Sequence, residues 1–243
     1  MANAQLAVGG SAAMVYLPDE GETLVAAGGA VYLNMGTLFP IYEETIPRTA
    51  AAAQAAGKPW VLDPVGIGIG SLRTKLLSEL KQHKPAIVRG NASEIIALAG
   101  LWGLEGTADD VSRARGVDTA DTVEAARAAA IALARYTEGA VVISGESDLV
   151  TDGHSVVISH GGSALMGKVT GFGCSQGGVL AVYATQTDPF TAAVAAVNHY
   201  NLAGVAAAAA ADAPASFKVV FIDELFRATP EAVAGNSIEI QEA

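Results

Sequence analysis

A series of short apolar runs, each stopped by glycine beside a polar or charged residue, constrains this chain more than any other feature. The runs cover residues 30–34, 60–62, 86–88 and 140–144, and they alternate with stretches of helical spacing at 41–56, 72–82, 92–99 and 119–136. Short unbroken apolar runs read as strands buried on both faces. Strand and helix in alternation imply a largely parallel central sheet with helices on both sides, an α/β fold. The helix at 119–136 has an acidic start (Asp121, Glu124) and a basic end (Arg127, Arg135), as the helix dipole favours. Residues 1–8 have helical composition and stop at Gly9-Gly10. Residues 149–151 and 155–159 read as a hairpin turning at Asp152-Gly153, and the chain after Gly173 is mostly helical to Phe226. The 243 residues suit one domain spanning 1–243. The stretch 101–118, rich in small and charged residues, is the expected flap. The acidic tail after Pro230 is expected to be loose.

Charge narrows the partners. With 14 basic and 25 acidic residues the net charge is −11, so nucleic acid and anionic membranes are poor partners. Any polyanionic ligand must be held by local donors, helix N-termini and a metal ion. The one cysteine, Cys174, cannot form an internal disulfide, which suits a cytoplasmic setting. No zinc-type spacing, signal-like N-terminus or membrane-spanning apolar run is visible in the sequence.

In open α/β sheets ligands bind beyond the C-terminal ends of the strands. The residues after the runs are Asn34 to Thr37, Asp63 to Gly66, Arg89 to Asn91 with Glu94, Ser144 to Glu146, and Thr170 to Cys174. In the last of these, Gly171-Phe172-Gly173 leads into a helix whose free amides would form an anion site for a phosphoryl group. Cys174, at that helix N-terminus, would have its thiol pKa lowered from about 8.5 towards neutrality and could accept a proton from a substrate hydroxyl. Spacing alone fits a buried cysteine beside a helix start equally well. Asp63 and Glu94 form a candidate magnesium pair, since that ion takes few carboxylates and keeps water and phosphate oxygens. A strand-ending turn at Asp63 and a first-turn helix acid capped by Asn91 are the structural alternatives. Arg89 suits a bidentate phosphate clamp or, equally, a surface ion pair. Gly66-Ile67-Gly68-Ile69-Gly70 lacks dinucleotide-loop spacing, and His83, His154, His160 and His199 form no ligand pair.

Taken in order, these segments resemble the hydroxyethylthiazole kinase family. Gly10 to Met14 is similar to GASPxM, Leu33 to Leu38 to LNIGTL, and Val61 to Gly68 with Arg73-Thr74 to VLDPVGAG and RT. Arg89 to Glu94 matches RGNxSE, and Gly116-Val117-Asp118 resembles GVDS. Ser144 to Asp148 resembles TGExD, Lys168 to Cys174 KVTGTGC, and Ser216-Phe217 the late GSF. The resemblance implies a ribokinase-like fold and ATP-dependent phosphorylation of 4-methyl-5-(2-hydroxyethyl)thiazole in thiamine salvage. It also implies a homotrimer with active sites at subunit interfaces. It places Met14 and Gly171 on the thiazole alcohol, Arg89 and Ser144 on ATP, and Asp63 and Glu94 on Mg2+. Cys174 stands where related kinases carry an aspartate base.

Phe172, in place of a small residue, is expected to crowd the anion loop, and Ala13 replaces the proline before Met14. The family pattern also has roughly thirty residues upstream of Met1, so the chain is expected to lack an opening helix and part of the pocket wall. The competing readings are a kinase for another vitamin-precursor alcohol, an ATP-dependent dehydratase of hydrated nicotinamide cofactors on a related fold, and a non-catalytic ligand-binding homologue.

Overall fold

The computed structural model describes residues 1–104 and 120–243, with the side chains of 120–124 left aside. Four parallel strands, β1 (Val31–Asn34), β2 (Trp60–Asp63), β3 (Ile87–Asn91) and β4 (Ala140–Ser144), lie side by side in chain order. Three antiparallel strands continue the sheet: β5 (Asp148–Thr151), β6 (Ser155–Ser159) and β7 (Ile238–Glu242). The largely parallel sheet expected from the sequence is therefore β1 to β4, and the whole sheet is mixed.

Because the parallel strands follow one another without reversal, successive crossovers of one hand put their helices on one face. Helices α3 (Tyr42–Ala55), α4 (Ser71–Leu80), α5 (Ala92–Leu101) and α6 (Ala120–Thr137) share a buried core there with Leu33, Leu62, Val88 and Val141. Helix α2 (Pro18–Ala27), which the sequence reading did not mark, packs on α3 and adds Val25 to the same core. On the other face α1 (Ala2–Ala7), α7 (Phe172–Tyr183), α8 (Pro189–Ala210) and α9 (Pro214–Arg227) cover Val61, Ile87, Val142 and Val150.

The tail is not loose. Helix α10 (Pro230–Ala234) precedes β7, which pairs with β6 from Ser155↔Glu242 to Ser159↔Ile238. The strand is exposed along its whole length, and its order comes from the backbone ladder and from Arg127 of α6, which donates to Gln241 and to the Glu242 carbonyl. The strand carries only a short alternation, Ile238 and Ile240 between polar residues, at an acidic chain end. The expected flap, from 105 onward, lies outside the described residues, as do Gly116-Val117-Asp118 and the acidic start of α6.

Candidate active site

Strand register brings the candidate residues to one edge. Asn34 pairs with Asp63 across β1 and β2, and Asn91 pairs with Ser144 across β3 and β4. The C-terminal ends thus present Asn34, Asp63, Arg89 and Ser144 together, below the first turn of α7.

Arg89 is the hub. It is only 7 % exposed, and it donates from Nε to Gln176 Oε1 (3.1 Å), from Nη2 to Ser144 Oγ (2.6 Å) and from Nη1 to Asp63 Oδ2 (3.5 Å). Gln176 in turn donates to Asp148 Oδ2 (2.8 Å), whose other oxygen accepts the Gly145 amide. Arg89 is therefore neither a surface ion pair nor a free fork awaiting a phosphate, because protein groups already engage the guanidinium. It lies directly under Gly173, where an added Cβ would stand 2.6 Å from Nη2 and 3.0 Å from Cζ.

Asp63 is completely buried, and among the described residues its Oδ1 has no hydrogen-bond partner. Burial pushes its carboxyl up to about 6, although Arg89 and the Tyr32 hydroxyl both favour the ionised form. At 3.5 Å the ion pair is too long to offset the desolvation. Glu94 lies near enough for its charge to raise Asp63 further. Glu94 also behaves as the first-turn acid of a capping box: Oε2 accepts the Asn91 amide (2.9 Å), Asn91 Oδ1 accepts the Glu94 amide (2.9 Å), and Oε1 accepts the Gly66 amide at 3.3 Å. Both Glu94 oxygens thus accept backbone amides, which is the structural alternative read from the sequence.

Helix α7 begins after Gly171, whose φ of +82° is the left-handed conformation that glycine adopts without strain. Apart from its chain neighbours, none of the described residues comes within 4 Å of a Cβ placed there, so this turn has room for a ligand. The Gly173 and Cys174 amides find no backbone acceptor among the described residues.

Two expectations fail here. Phe172 does not crowd the loop; its ring turns into the core with Tyr200, Phe217 and Phe221, at centroid distances of 6.2, 5.6 and 4.7 Å. It anchors the start of α7, and its carbonyl accepts the Tyr200 hydroxyl (2.7 Å). The Cys174 thiol is not lowered either. Burial raises it, the charge of Asp63 raises it further, and Asn34 and Arg89 offset only part. The helix N-terminus loses to desolvation and a neighbouring carboxylate.

Met14 stands apart, 64 % exposed on the segment between α1 and α2. The structure adds Tyr32, Asp148 and Gln176, which the sequence reading did not assign. The available signal was in α7, where Gln176, Gly177 and Gly178 interrupt an apolar helix. Glycine within a helix costs about 0.5–1 kcal/mol, so its presence there asks for a packing reason.

A helix start with free amides set over buried acidic and basic side chains, at the ends of parallel strands, is suited to holding a phosphoryl group, as small-molecule kinases do. The sequence comparisons narrow this. The chain belongs to the hydroxyethylthiazole kinase family, whose profile matches residues 1–231. It is 47% identical to the hydroxyethylthiazole kinase of Bifidobacterium longum (strain DJO10A), covering 99% of this chain and 82% of that one. It is 42% identical to the enzyme of the same name from Cereibacter sphaeroides (strain ATCC 17023), over 96% and 86%. The solved hydroxyethylthiazole kinase of Pyrococcus horikoshii OT3 superposes with a TM-score of 0.84 at 29% identity, over 100% of this chain and 88% of that one. A pyridoxal kinase from Staphylococcus aureus shares the fold, with a TM-score of 0.56 at 15% identity.

Proposed function

We propose that this protein transfers the γ-phosphoryl group of ATP to the hydroxyl of 4-methyl-5-(2-hydroxyethyl)thiazole, supplying thiamine synthesis, as one domain spanning 1–243. The family match carries this reading, and the start of α7 over Arg89 supports it. Phosphoryl transfer asks for positioning and charge stabilisation more than for covalent chemistry. The Gly173 and Cys174 amides gather the transferring group, and Arg89 adds positive charge from beneath. Ser144, tied to Arg89, contacts the nucleotide on the same side. Gly171 leaves room for the alcohol, and the family resemblance alone assigns Met14, which stands apart here, to the same ligand.

The residues present fit magnesium. Asp63 has a buried oxygen with no protein donor, and Glu94 is close enough to share a cation's charge. Asp63 and Glu94 would hold the ion, which neutralises phosphate charge when bound. Cys174 orients the acceptor hydroxyl as a thiol; only its thiolate form, made scarce by burial and the charge of Asp63, accepts the hydroxyl proton. Tyr16 and Phe39 each pack against the Tyr42 ring yet remain half exposed, an aromatic rim open to a partner. That rim supports a homotrimer with sites at subunit boundaries. No helix among the described residues is long and apolar enough to cross a membrane, and with the lone cysteine a cytoplasmic enzyme is the reading adopted.

ADP release with Mg-ATP and a panel of acceptors tests the reading. Turnover with the thiazole alcohol alone is expected; turnover only with another vitamin alcohol, or only with hydrated nicotinamide cofactor, overturns it. Within the same assay Cys174→Asp should retain or raise kcat, whereas Cys174→Ala should lower it by about tenfold or more. An unaltered rate for Cys174→Ala would make the thiol merely structural.

A second prediction concerns pH. Asp63 must be ionised to hold a cation, and its carboxyl sits at about 6. The kcat/KM for Mg-ATP, which reports the free enzyme, should fall about tenfold per unit below that value. A profile flat down to pH 5 would show that the Asp63 carboxyl of the free enzyme is not raised to about 6.

A further inference from the structure

Tyr32 lies on the α7 side of β1, against the core of that face. Its ring fits because residue 177 has no side chain: a Cβ there would stand 2.5 Å from Cε2 and 2.6 Å from the hydroxyl oxygen. The direction of its one hydroxyl proton is determined by its neighbours. The Gly36 amide donates to Asn34 Oδ1 at 2.8 Å, which assigns the other end of that side chain as the donor. Asn34 Nδ2 donates to the Tyr32 oxygen at 2.7 Å, so the phenol accepts on that side. Its O–H then points to Asp63 Oδ2 at 2.8 Å. Arg89 Nη1 approaches that same oxygen. Both protein donors converge on Oδ2, while Oδ1, equally buried, receives none.

An unconstrained carboxylate would share its donors between both oxygens. Here a chain of hydrogen bonds from Gly36 through Asn34 and Tyr32 sorts them. We propose that Tyr32 is a positioning residue that keeps Asp63 Oδ2 committed to the protein and reserves Oδ1 for the magnesium–nucleotide, with Gly177 retained in α7 to make room for the ring. This rests on the assignment of Asp63 to the cation given above.

The test is Mn2+ binding to the full chain in the presence of ADP, followed by electron paramagnetic resonance, alongside steady-state kinetics. Tyr32→Phe keeps the ring and removes the donor. It should weaken Mn2+ by about tenfold, the scale of lost outer hydrogen bonds at metal sites, and raise half-saturating Mg2+ equally while leaving KM for the alcohol unchanged. Gly177→Ala should reproduce the loss by displacing the ring, and should add nothing in a Tyr32→Ala background. A merely structural role would lower the melting temperature without this split. Unchanged Mn2+ affinity in Tyr32→Phe, with Asp63→Asn losing it, refutes the role of Tyr32 and leaves the cation assignment standing. Wild-type Mn2+ affinity in Asp63→Asn removes that assignment and this proposal with it.

Discussion

Arg89→Met should lower the melting temperature by about 6–20 °C. Removing one member of a buried, hydrogen-bonded charge pair costs about 3–5 kcal/mol, and each kcal/mol shifts a chain of this size by about 2–4 °C. Methionine fills the space of the arginine stem but supplies no donor. Asp63 would keep only the Tyr32 hydroxyl, and Gln176 Oε1 and Ser144 would each lose a partner. The sign of the pH dependence follows from Asp63. Its folded-state pKa, about 6, is raised, so its ionised form works against the folded state as pH climbs from about 4 through 6. Below about pH 6 the folded-state carboxyl is mostly protonated and needs Arg89 less. Calorimetry at pH 8 and pH 5 should therefore show a smaller loss at pH 5, and Asp63→Asn should recover part of the loss at pH 8. A drop under about 3 °C at pH 8 would show that the pair is not held as described.

The second large effect belongs to Gly173→Ala, which should lower kcat by about a hundredfold and lower the melting temperature as well. The new methyl would meet three guanidinium atoms of Arg89 at 2.6, 2.7 and 3.0 Å. That guanidinium has three other partners and cannot swing aside without breaking them. Either it moves or the first turn of α7 moves. Each route shifts the anion site, and misplacement of about 1 Å costs on the order of a hundredfold in rate. Alanine's better helix propensity, about 1 kcal/mol at most, offsets only part of the crowding, so the loss of rate should come with a loss of stability. Steady-state kinetics with parallel melting checks this, and a rate within threefold of wild type would remove the α7 turn from the transfer step.

Both predictions use residues that the sequence placed correctly but could not connect. Arg89 was legible as a strand-end residue because the apolar run before it and Gly90 after it are local features. That its guanidinium lies under Gly173 depends on α7 crossing the ends of β2 and β3, 84 positions later in the chain. Asn34 and Asp63 were each visible as strand terminators, and parallel register set them side by side. Tyr32 looked like one more apolar residue of β1, since nothing within a few residues says that its hydroxyl will meet Asp63. Phe172 misled for the converse reason: its neighbours are the glycines of the anion turn, but its side chain answers to Phe217 and Phe221 of α9. The Cys174 thiol misled because a helix start is local, whereas the burial and the carboxylate that override it are not.

By itself the sequence determined the alternation of strands and helices, the glycine turn before α7 and the family, because apolar periodicity, glycine placement and ordered motifs reside in neighbouring residues. Only the tertiary structure decided which donors reach Asp63, where the Phe172 ring goes, how the thiol at Cys174 is tuned and that the tail joins the sheet. Those outcomes depend on desolvation and on contacts between segments far apart in the chain, and neither exists until the helices close over the sheet.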